Sequence, residues 1–324
     1  MLARLPLNAT DLSVSQICLG TNMFGSALPE EAASGILDLF FGSGGNFIDT
    51  ARSYGDWVPG IPRAASEHAL GRLLTGRARN SYVIATKGCE FDYRGEHQGF
   101  RVAPAFLDSD LKASLDALHL DFIDLYWLHR DDPTQPVGAI IDALIHHQQD
   151  GRIRYFGCSN WSPARIQEAQ TYARDHGHPG FAACQPMWGL ADPDREAMNS
   201  FCPGGYYEDG YRPLHEAGLT MIPYSGQSRG FFSKLADNPA KESFGPDLAA
   251  LFHHPRNLAR LPVIQSIAQA HGASINQIVL AYLTSQPLAT IPIIGASKPA
   301  QLKESIAACA LKLSAGELQR LHDA

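Results

Sequence analysis

Short apolar runs alternate along this chain with segments whose apolar residues recur every three or four positions. The runs occupy residues 17–21, 46–51, 82–87, 122–129, 155–159, 182–188, 219–225 and 290–296. Each spans five to eight residues rich in Ile, Phe, Tyr and Val. That length and composition suit buried parallel strands, and there are eight of them. Between them lie amphipathic helical faces: Ile140, Ile141, Leu144 and Ile145; Ile264, Ile267, Ala268 and His271; Ile275, Ile278, Val279 and Tyr282. Ser274 with Gln277 and Ser314 with Glu317 fit capping boxes. Ser162-Pro163 fits an N-cap followed by proline in the first turn. Gly151 and Gly218 fit helix stops just before the next strand.

Eight β-then-α units with no composition break predict an α/β protein of one domain, residues 1–324, folded as a (β/α)8 TIM barrel. An open doubly wound sheet is the alternative. It usually shows a glycine fingerprint after its first strand, and Gly20-Thr21-Asn22-Met23-Phe24-Gly25 does not match G-x-G-x-x-G. Residues 4–16 hold two short extended pieces around 8–11, which predict an N-terminal β-hairpin cap on the barrel bottom. Two long irregular stretches are expected after strands six and seven. The first is 189–212, with Pro193, Pro203, Gly204, Gly205 and Gly210, a candidate active-site loop. The second is 226–256.

Composition narrows the function classes. The chain has 324 residues, 45% hydrophobic and 18% charged, enough to bury a sizeable core. A net charge of −7 without a Lys/Arg-dense stripe argues against nucleic acid as a partner. The six cysteines (18, 89, 158, 184, 202 and 309) form no CxxC pair, which argues against zinc ribbons and thioredoxin chemistry. The adjacent pairs His146-His147 and His253-His254 face opposite sides of most elements, and no HExxH occurs, so no metal site is expected. The N-terminus MLARLPLNATDL lacks the apolar core of a signal peptide. No run of 18 apolar residues occurs, so no membrane span is expected and the cytoplasm is the expected compartment.

Barrels of this kind carry their chemistry at the C-terminal ends of the strands. The second run ends Asp49-Thr50-Ala51 with Tyr54 just beyond, the third Thr86-Lys87-Gly88, and the fourth Trp127-Leu128-His129. The fifth ends Cys158-Ser159-Asn160, the sixth carries Gln185, and the seventh ends Tyr224-Ser225. Taken singly, an Asp here caps a turn more often than it catalyses, and a His or Tyr usually packs. Asp, Lys and His at three successive strand ends, with a Tyr in the adjacent loop, make separate structural explanations less attractive. Together they fit carbonyl chemistry. A phenol is a poor acid near neutral pH, and a nearby ammonium is expected to lower its pKa. A carboxylate holds that ammonium charged, and a histidine orients the carbonyl oxygen. Such a set reduces a carbonyl when a hydride donor is present.

These residues resemble the aldo-keto reductase family, in its long-chain, bacterial type. The most specific segments are Gly45-Asn46-Phe47-Ile48-Asp49-Thr50-Ala51 with Tyr54, Ala85-Thr86-Lys87, Asp124-Leu125-Tyr126-Trp127-Leu128-His129, Gly157-Cys158-Ser159-Asn160-Trp161 and Ile291-Pro292-Ile293-Ile294-Gly295-Ala296-Ser297. The similarity runs from Gly20-Thr21 to Glu304, with Thr21 at the cofactor site. It implies Tyr54 as general acid, Lys87 and Asp49 as its tuning pair, and His129 as the residue that orients the carbonyl. It implies that Ser159, Asn160 and Gln185 hold a nicotinamide carboxamide and that Tyr224 stacks on the ring. The loop Ser225, Gly226, Gln227, Ser228 and Arg229, closed by Gly230, would approach the cofactor phosphates through backbone N–H groups. Gly295, Ser297, Lys298, Gln301, Glu304 and Ser305 would meet the adenosine end at a helix N-terminus.

Two places depart from the usual pattern. Gln301 and Ser305 stand where many members have Arg and Asn, and Lys298 is the obvious cation left in that segment. Gln301 with Glu304 still resembles a subset that prefers NADP, so NADPH is the expected cofactor, with NADH the alternative. The loop Asp56-Trp57-Val58-Pro59-Gly60-Ile61-Pro62 is longer than the family's compact turn. Trp57, Phe91, Arg130 and Trp161 are expected to line a pocket for a small-molecule carbonyl substrate, sugar-derived or aryl. A monomer or small homo-oligomer is expected. Two other readings are a cofactor-holding regulatory subunit with slow turnover, and a hydrolase with Asp49 and Glu90 as a carboxylate pair.

Overall fold

Strands form at all eight apolar runs; six are trimmed relative to the run, Val83–Gly88 is shifted by one residue, and Ile153–Ser159 begins two residues earlier than its run. The computed structural model describes residues 1–95, 99–199 and 205–324; Cys202, Pro203 and Gly204 lie outside the described residues. An antiparallel hairpin, β1 (Arg4–Pro6) and β2 (Ser13–Ser15), comes first. The barrel strands follow: β3 (Cys18–Gly20), β4 (Phe47–Asp49), β5 (Val83–Gly88), β6 (Ile123–Leu128), β7 (Ile153–Ser159), β8 (Ala183–Gln185), β9 (Thr220–Met221) and β10 (Ile293–Ile294). They are parallel and ordered β10-β3-β4-β5-β6-β7-β8-β9. The seam closes through Met221 N to Ala289 O (3.1 Å), Ile291 N to Met221 O (2.9 Å) and Ile293 N to Pro223 O (2.8 Å). This is a (β/α)8 barrel. The last three runs are trimmed hardest because each contains a proline, Pro186, Pro223 or Pro292, that has no N–H for a ladder.

Side-chain alternation then sorts each strand. Cys18, Phe47, Val83, Ala85, Leu125, Trp127, Ala183, Ile222 and Ile291 point inward and form one buried cluster with Leu7, Leu12 and Val14 of the hairpin, which plugs the barrel bottom. Their neighbours Leu19, Ile48, Ile84, Tyr126, Leu128, Cys158, Cys184 and Met221 pack outward against the helices. The same parity, continued by two residues, turns Asp49, Lys87, His129, Ser159 and Gln185 inward at the upper end. Trp127 needs a glycine beside it: a Cβ on Gly157 would sit 2.5 Å from its ring.

The helix signals hold where they were strongest. Ser274 and Ser314 form capping boxes, and Ser162 accepts from Arg165 N. Gly151 (φ 74°) and Gly218 (φ 98°) take the left-handed conformation expected of helix stops. The expected loops are partly helical. Residues 189–212 contain Arg195–Asn199, and 226–256 contains Phe231–Asp237 and Pro246–Phe252. Phe231, Phe232, Leu235, Leu248, Leu251 and Phe252 are buried at helical spacing, a signal masked by the glycines and prolines around them.

One buried carboxylate couples this layer to pH. Glu67, on the helix Ala65–Leu73, is fully buried, and its Oε1 accepts from Thr86 Oγ1 at 2.5 Å. Burial pushes its pKa from 4.5 up to about 7, against the hydrogen bond from Thr86 and the charge of Arg52. The folded state therefore keeps a proton that the unfolded chain releases, and stability falls as pH rises from 4.5 through about 7. At about 1.4 kcal/mol per unit, the loss is of order 3 kcal/mol. Glu67→Gln should raise Tm at pH 8 and leave it nearly unchanged at pH 4.5. Thermal unfolding at both pH values checks this, and equal shifts at both would refute it.

Candidate active site

The inward parity brings four expected residues together at the upper end of the barrel. Lys87 Nζ, from β5, pairs with Asp49 Oδ2 at the end of β4, and both side chains are 1% exposed. It also donates to Thr50 O at 2.8 Å and to Tyr54 Oη at 2.9 Å. The other Asp49 oxygen accepts from Trp127 Nε1 and Gln185 Nε2, each at 3.1 Å. Every strong donor around this carboxylate is thus fixed by a barrel strand. The His129 ring follows β6 and stands edge-on to the Tyr54 ring, 6.0 Å between centroids.

Burial dominates the protonation states. It pulls the Lys87 ammonium down, but Asp49 and Tyr54 more than restore it, and its pKa lies above the usual lysine value. Burial raises the Tyr54 phenol above its usual value; Lys87 lowers it, but not enough to reverse the direction. The expectation of a depressed phenol pKa is therefore corrected. Desolvation of the phenolate outweighs the ammonium, and Tyr54 is held in its acid form. Burial also drives His129 well below the usual histidine value, with Lys87 and Arg130 adding to the effect, so the imidazole is neutral.

A cavity of about 860 Å³ opens above this cluster and runs to the start of the helix Pro299–Ala308. Tyr54, His129, Arg130, Ser159, Asn160, Gln185 and Tyr224 line its deep end, with Thr21 beside them. Ser225, Gly226, Gln227 and Arg229 line its middle, and Gly295, Ser297, Gln301 and Glu304 its far end. Asn160, Ser225 and Arg229 hold φ values of 59°, 58° and 53°, a left-handed backbone that costs energy in a non-glycine residue and clusters at this rim. Ser233, Lys234 and Asn276 also line the cavity, and sequence reading missed them. Lys234 sits on the helix Phe231–Asp237, inside the stretch 226–256 whose glycines and prolines predict loop. Asn276 lies two residues past Ser274, the N-cap of the helix Ile275–Thr284.

Several expected residues do other work. Asn160 Nδ2 donates to His129 O (3.0 Å) and its Oδ1 accepts from Tyr224 Oη (2.9 Å), while Ser159 Oγ donates to Gln185 O (2.8 Å). Gln301 folds back, its Oε1 accepting from Ser297 N (2.9 Å) and Lys298 N (3.1 Å). Lys298 itself is exposed at the cap of that helix, outside the cavity wall. Ser305 is buried behind the wall, accepting from Gln227 Nε2 at 2.9 Å and donating to Gln301 O at 3.0 Å. Ser228 is buried too, its Oγ accepting from Ala191 N. Gly226 packs closely: a Cβ there would meet Leu283 Cδ1 at 2.8 Å. Glu304 accepts from Ser274 Oγ (2.5 Å) and Asn276 Nδ2 (2.9 Å).

The expected substrate wall is only partly present. Trp161 is fully buried, its Nε1 donating to Arg130 O at 2.9 Å and its ring edge-on to Phe181, so it is a packing residue. Phe91 lines a separate cavity of about 160 Å³ with Arg52, Asp56 and Arg101. Trp57 is 48% exposed and stands edge-on to Tyr54 and to Tyr93, each 6.0 Å between centroids. It borders Tyr54 from outside the main cavity.

Comparison with known proteins shows the family and the fold. Residues 16–324 match the model of the Aldo/keto reductase family. Norsolorinic acid reductase B of Aspergillus parasiticus is 29% identical, over 98% of this chain and 82% of its own length. Aldo-keto reductase ausK of Aspergillus calidoustus is 28% identical, over 96% of this chain and 78% of its own. Probable aldo-keto reductase 1 of Glycine max is 28% identical, over 95% and 83%. Among solved structures, a thermostable aldo-keto reductase, Tm1743, in complex with the inhibitor epalrestat, superposes with a TM-score of 0.75 at 22% identity, covering 99% of both chains. The chain belongs to the aldo/keto reductase family and is an oxidoreductase.

Proposed function

We propose that the protein reduces an aldehyde or ketone to the alcohol, using NADPH, with Tyr54 as general acid. One observation carries this reading: the Lys87 ammonium, buried between Asp49 and the Tyr54 hydroxyl, at the floor of the large cavity. The substrate oxygen binds against Tyr54, which donates its Oη proton as negative charge develops there. The Lys87 ammonium, 2.9 Å away, then stabilises the phenolate left behind. His129 orients the oxygen from the neighbouring strand end.

The cavity suits a dinucleotide in both size and donors. When bound, a nicotinamide cofactor supplies the hydride. Ser159, Asn160 and Gln185 would hold its carboxamide, with Tyr224 against the ring. The backbone from Ser225 to Arg229 would meet the phosphates, and Ser297, Gln301 and Glu304 the adenosine. Ser228 and Ser305 serve by fixing that loop and Gln227. Arg229 and Lys234 on the wall, with Lys298 just beyond it, favour the extra phosphate of NADPH. Exposed Trp57 and Tyr93, next to Tyr54, suit an aryl carbonyl or a sugar face.

A panel of aryl, aliphatic and sugar-derived carbonyls, assayed with NADPH and NADH, tests the proposal. Turnover of at least one class, faster with NADPH, is expected. Equal or faster rates with NADH would remove the cofactor preference. Cofactor binding without turnover across the panel would replace the reductase reading with a regulatory subunit.

A further inference from the structure

A third cavity, of about 170 Å³, backs onto the loop 225–229 from the side away from the main cavity. Gly189 forms part of its wall, and a Cβ there would sit 2.9 Å from Ser225 O and 3.3 Å from Gly226 O. The space is too small for a nucleotide, since pockets for drug-sized ligands run to about 300–1,000 Å³. Several separate elements supply its polar groups. Arg195 comes from the helix Arg195–Asn199, and Tyr206 and Glu208 from the chain beyond it. Arg256 and Arg260 come from the helix Pro255–His271, and Tyr282 from Ile275–Thr284.

Three of these side chains are almost wholly out of water: Tyr206, Arg260 and Tyr282 are 3%, 4% and 5% exposed. Arg260 Nη1 donates to Leu190 O at 2.6 Å and Nη2 to His322 O at 2.9 Å. Its Nε has no hydrogen-bond partner, and no carboxylate pairs with the guanidinium among the described residues. A guanidinium has five N–H donors and keeps its charge when buried, so donors and charge are both left over. Burial pulls its pKa below the usual arginine value, and Arg256 adds to the fall. The Tyr206 hydroxyl makes no hydrogen bond among the described residues, and Tyr282 Oη has a single contact, 3.5 Å from His322 Nδ1. Burial raises both phenols, with Asp192 and Glu208 adding at Tyr206 and Glu208 at Tyr282, so both keep a hydrogen to donate. The two acids of the wall are engaged unequally. Asp192 pairs with Arg195 and Arg256, each at 3.1 Å. Glu208 accepts from Trp188 Nε1 at 3.2 Å and pairs with no cation among the described residues.

We propose that this cavity binds hydrogen phosphate, with Arg260, Tyr206 and Tyr282 donating to its oxygens and Glu208 accepting from its P–OH. An arginine fork matches the geometry of phosphate oxygens, and the anion gives Arg260 the counter-charge that the fold withholds. Near neutral pH inorganic phosphate retains a hydrogen, so one ligand satisfies the three donors and the acceptor together. Sulfate has no hydrogen and would set a bare oxygen against the Glu208 carboxylate. The inference goes beyond the reductase reading and does not depend on it.

Calorimetric titration of the full-length protein with sodium phosphate, at neutral pH and fixed ionic strength, tests this. It is run with and without saturating NADPH, because Arg229 and Lys234 of the main cavity would also attract phosphate. One phosphate per chain is expected, with a Kd of about 1 mM or tighter, and it should still bind when NADPH is present. Tyr206→Phe removes a hydroxyl that has no partner to lose, and the ring keeps the Arg195 guanidinium 4.2 Å from its centroid. The variant should fold normally and bind phosphate roughly tenfold more weakly, the effect of one hydrogen bond to a charged group. Arg260→Met should abolish binding. Sulfate should bind at least about tenfold more weakly than phosphate, because Glu208 is left facing an acceptor. No binding by the wild type, displacement of phosphate by NADPH, equal affinity for sulfate, or unchanged affinity in Tyr206→Phe would each overturn the proposal. If Arg260→Met does not fold, because it also ties Leu190 to His322, Tyr206→Phe and the sulfate comparison decide. If NADPH does not bind at all, the cofactor reading fails, while the two variants still judge this site.

Discussion

Tyr54→Phe is expected to lower kcat for carbonyl reduction by about two to four orders of magnitude, the range for losing a general acid. Cofactor affinity should stay within about twofold, because the ring that borders the cavity remains. The substitution removes one oxygen and little else. Its edge contacts with His129 and Trp57 survive, and Lys87 keeps Asp49 and Thr50 O as partners, so no charge is orphaned. Steady-state rates with a cofactor titration check both halves. Undiminished turnover would remove Tyr54 from the chemistry, and lost cofactor binding would make its role structural. The raised pKa adds a pH signature. The phenol keeps its proton up to and beyond the ordinary tyrosine value, so its titration should give the reduction rate no descending limb below about pH 10.

How far this site could be read from sequence depended on which physical rule set each position. Continuous apolar runs located all eight strands, and their C-terminal ends singled out Asp49, Lys87 and His129, which strand parity in the structure turns to the inner face. Strand ends were harder, because Pro186, Pro223 and Pro292 interrupt ladders inside runs that remain apolar. The helix Phe231–Asp237 was hidden by Gly226 and Gly230, and with it Lys234. Trp161 was misplaced because an aromatic residue after a strand looks the same whether it faces the cavity or the helix layer. Ser228 and Ser305 sit at the expected positions but turn their hydroxyls into the protein. The direction of the Tyr54 shift was not legible either. It follows from the balance of desolvation against Lys87, and burial is a property of the fold. Glu90 figured only as the second acid of a hydrolase; its 3.3 Å approach to His129 depends on the left-handed turn at Cys89, which no sequence pattern marks.

The second large effect concerns the buried pair beneath Tyr54, and it separates chemistry from stability. Lys87→Met should lower kcat by at least about a hundredfold, since the developing phenolate loses its stabilising donor. It should also destabilise the fold by about 3–5 kcal/mol, because it leaves the Asp49 carboxylate buried and unpaired. In a domain of this size that is a fall in Tm of about 10 °C. Asp49 retains only Trp127 Nε1 and Gln185 Nε2, two neutral donors on one oxygen, and a neutral amide can accept both equally well. Adding Asp49→Asn to Lys87→Met should therefore recover most of the lost stability, as replacing both halves of a buried pair costs less than removing one. The double variant should remain as inactive as the single one. Thermal unfolding and kcat measured on the single and double variants decide the matter. A double variant no more stable than Lys87→Met would refute the unpaired-charge account. A Lys87→Met protein that turns over at the wild-type rate would show that Tyr54 gives up its proton without the ammonium.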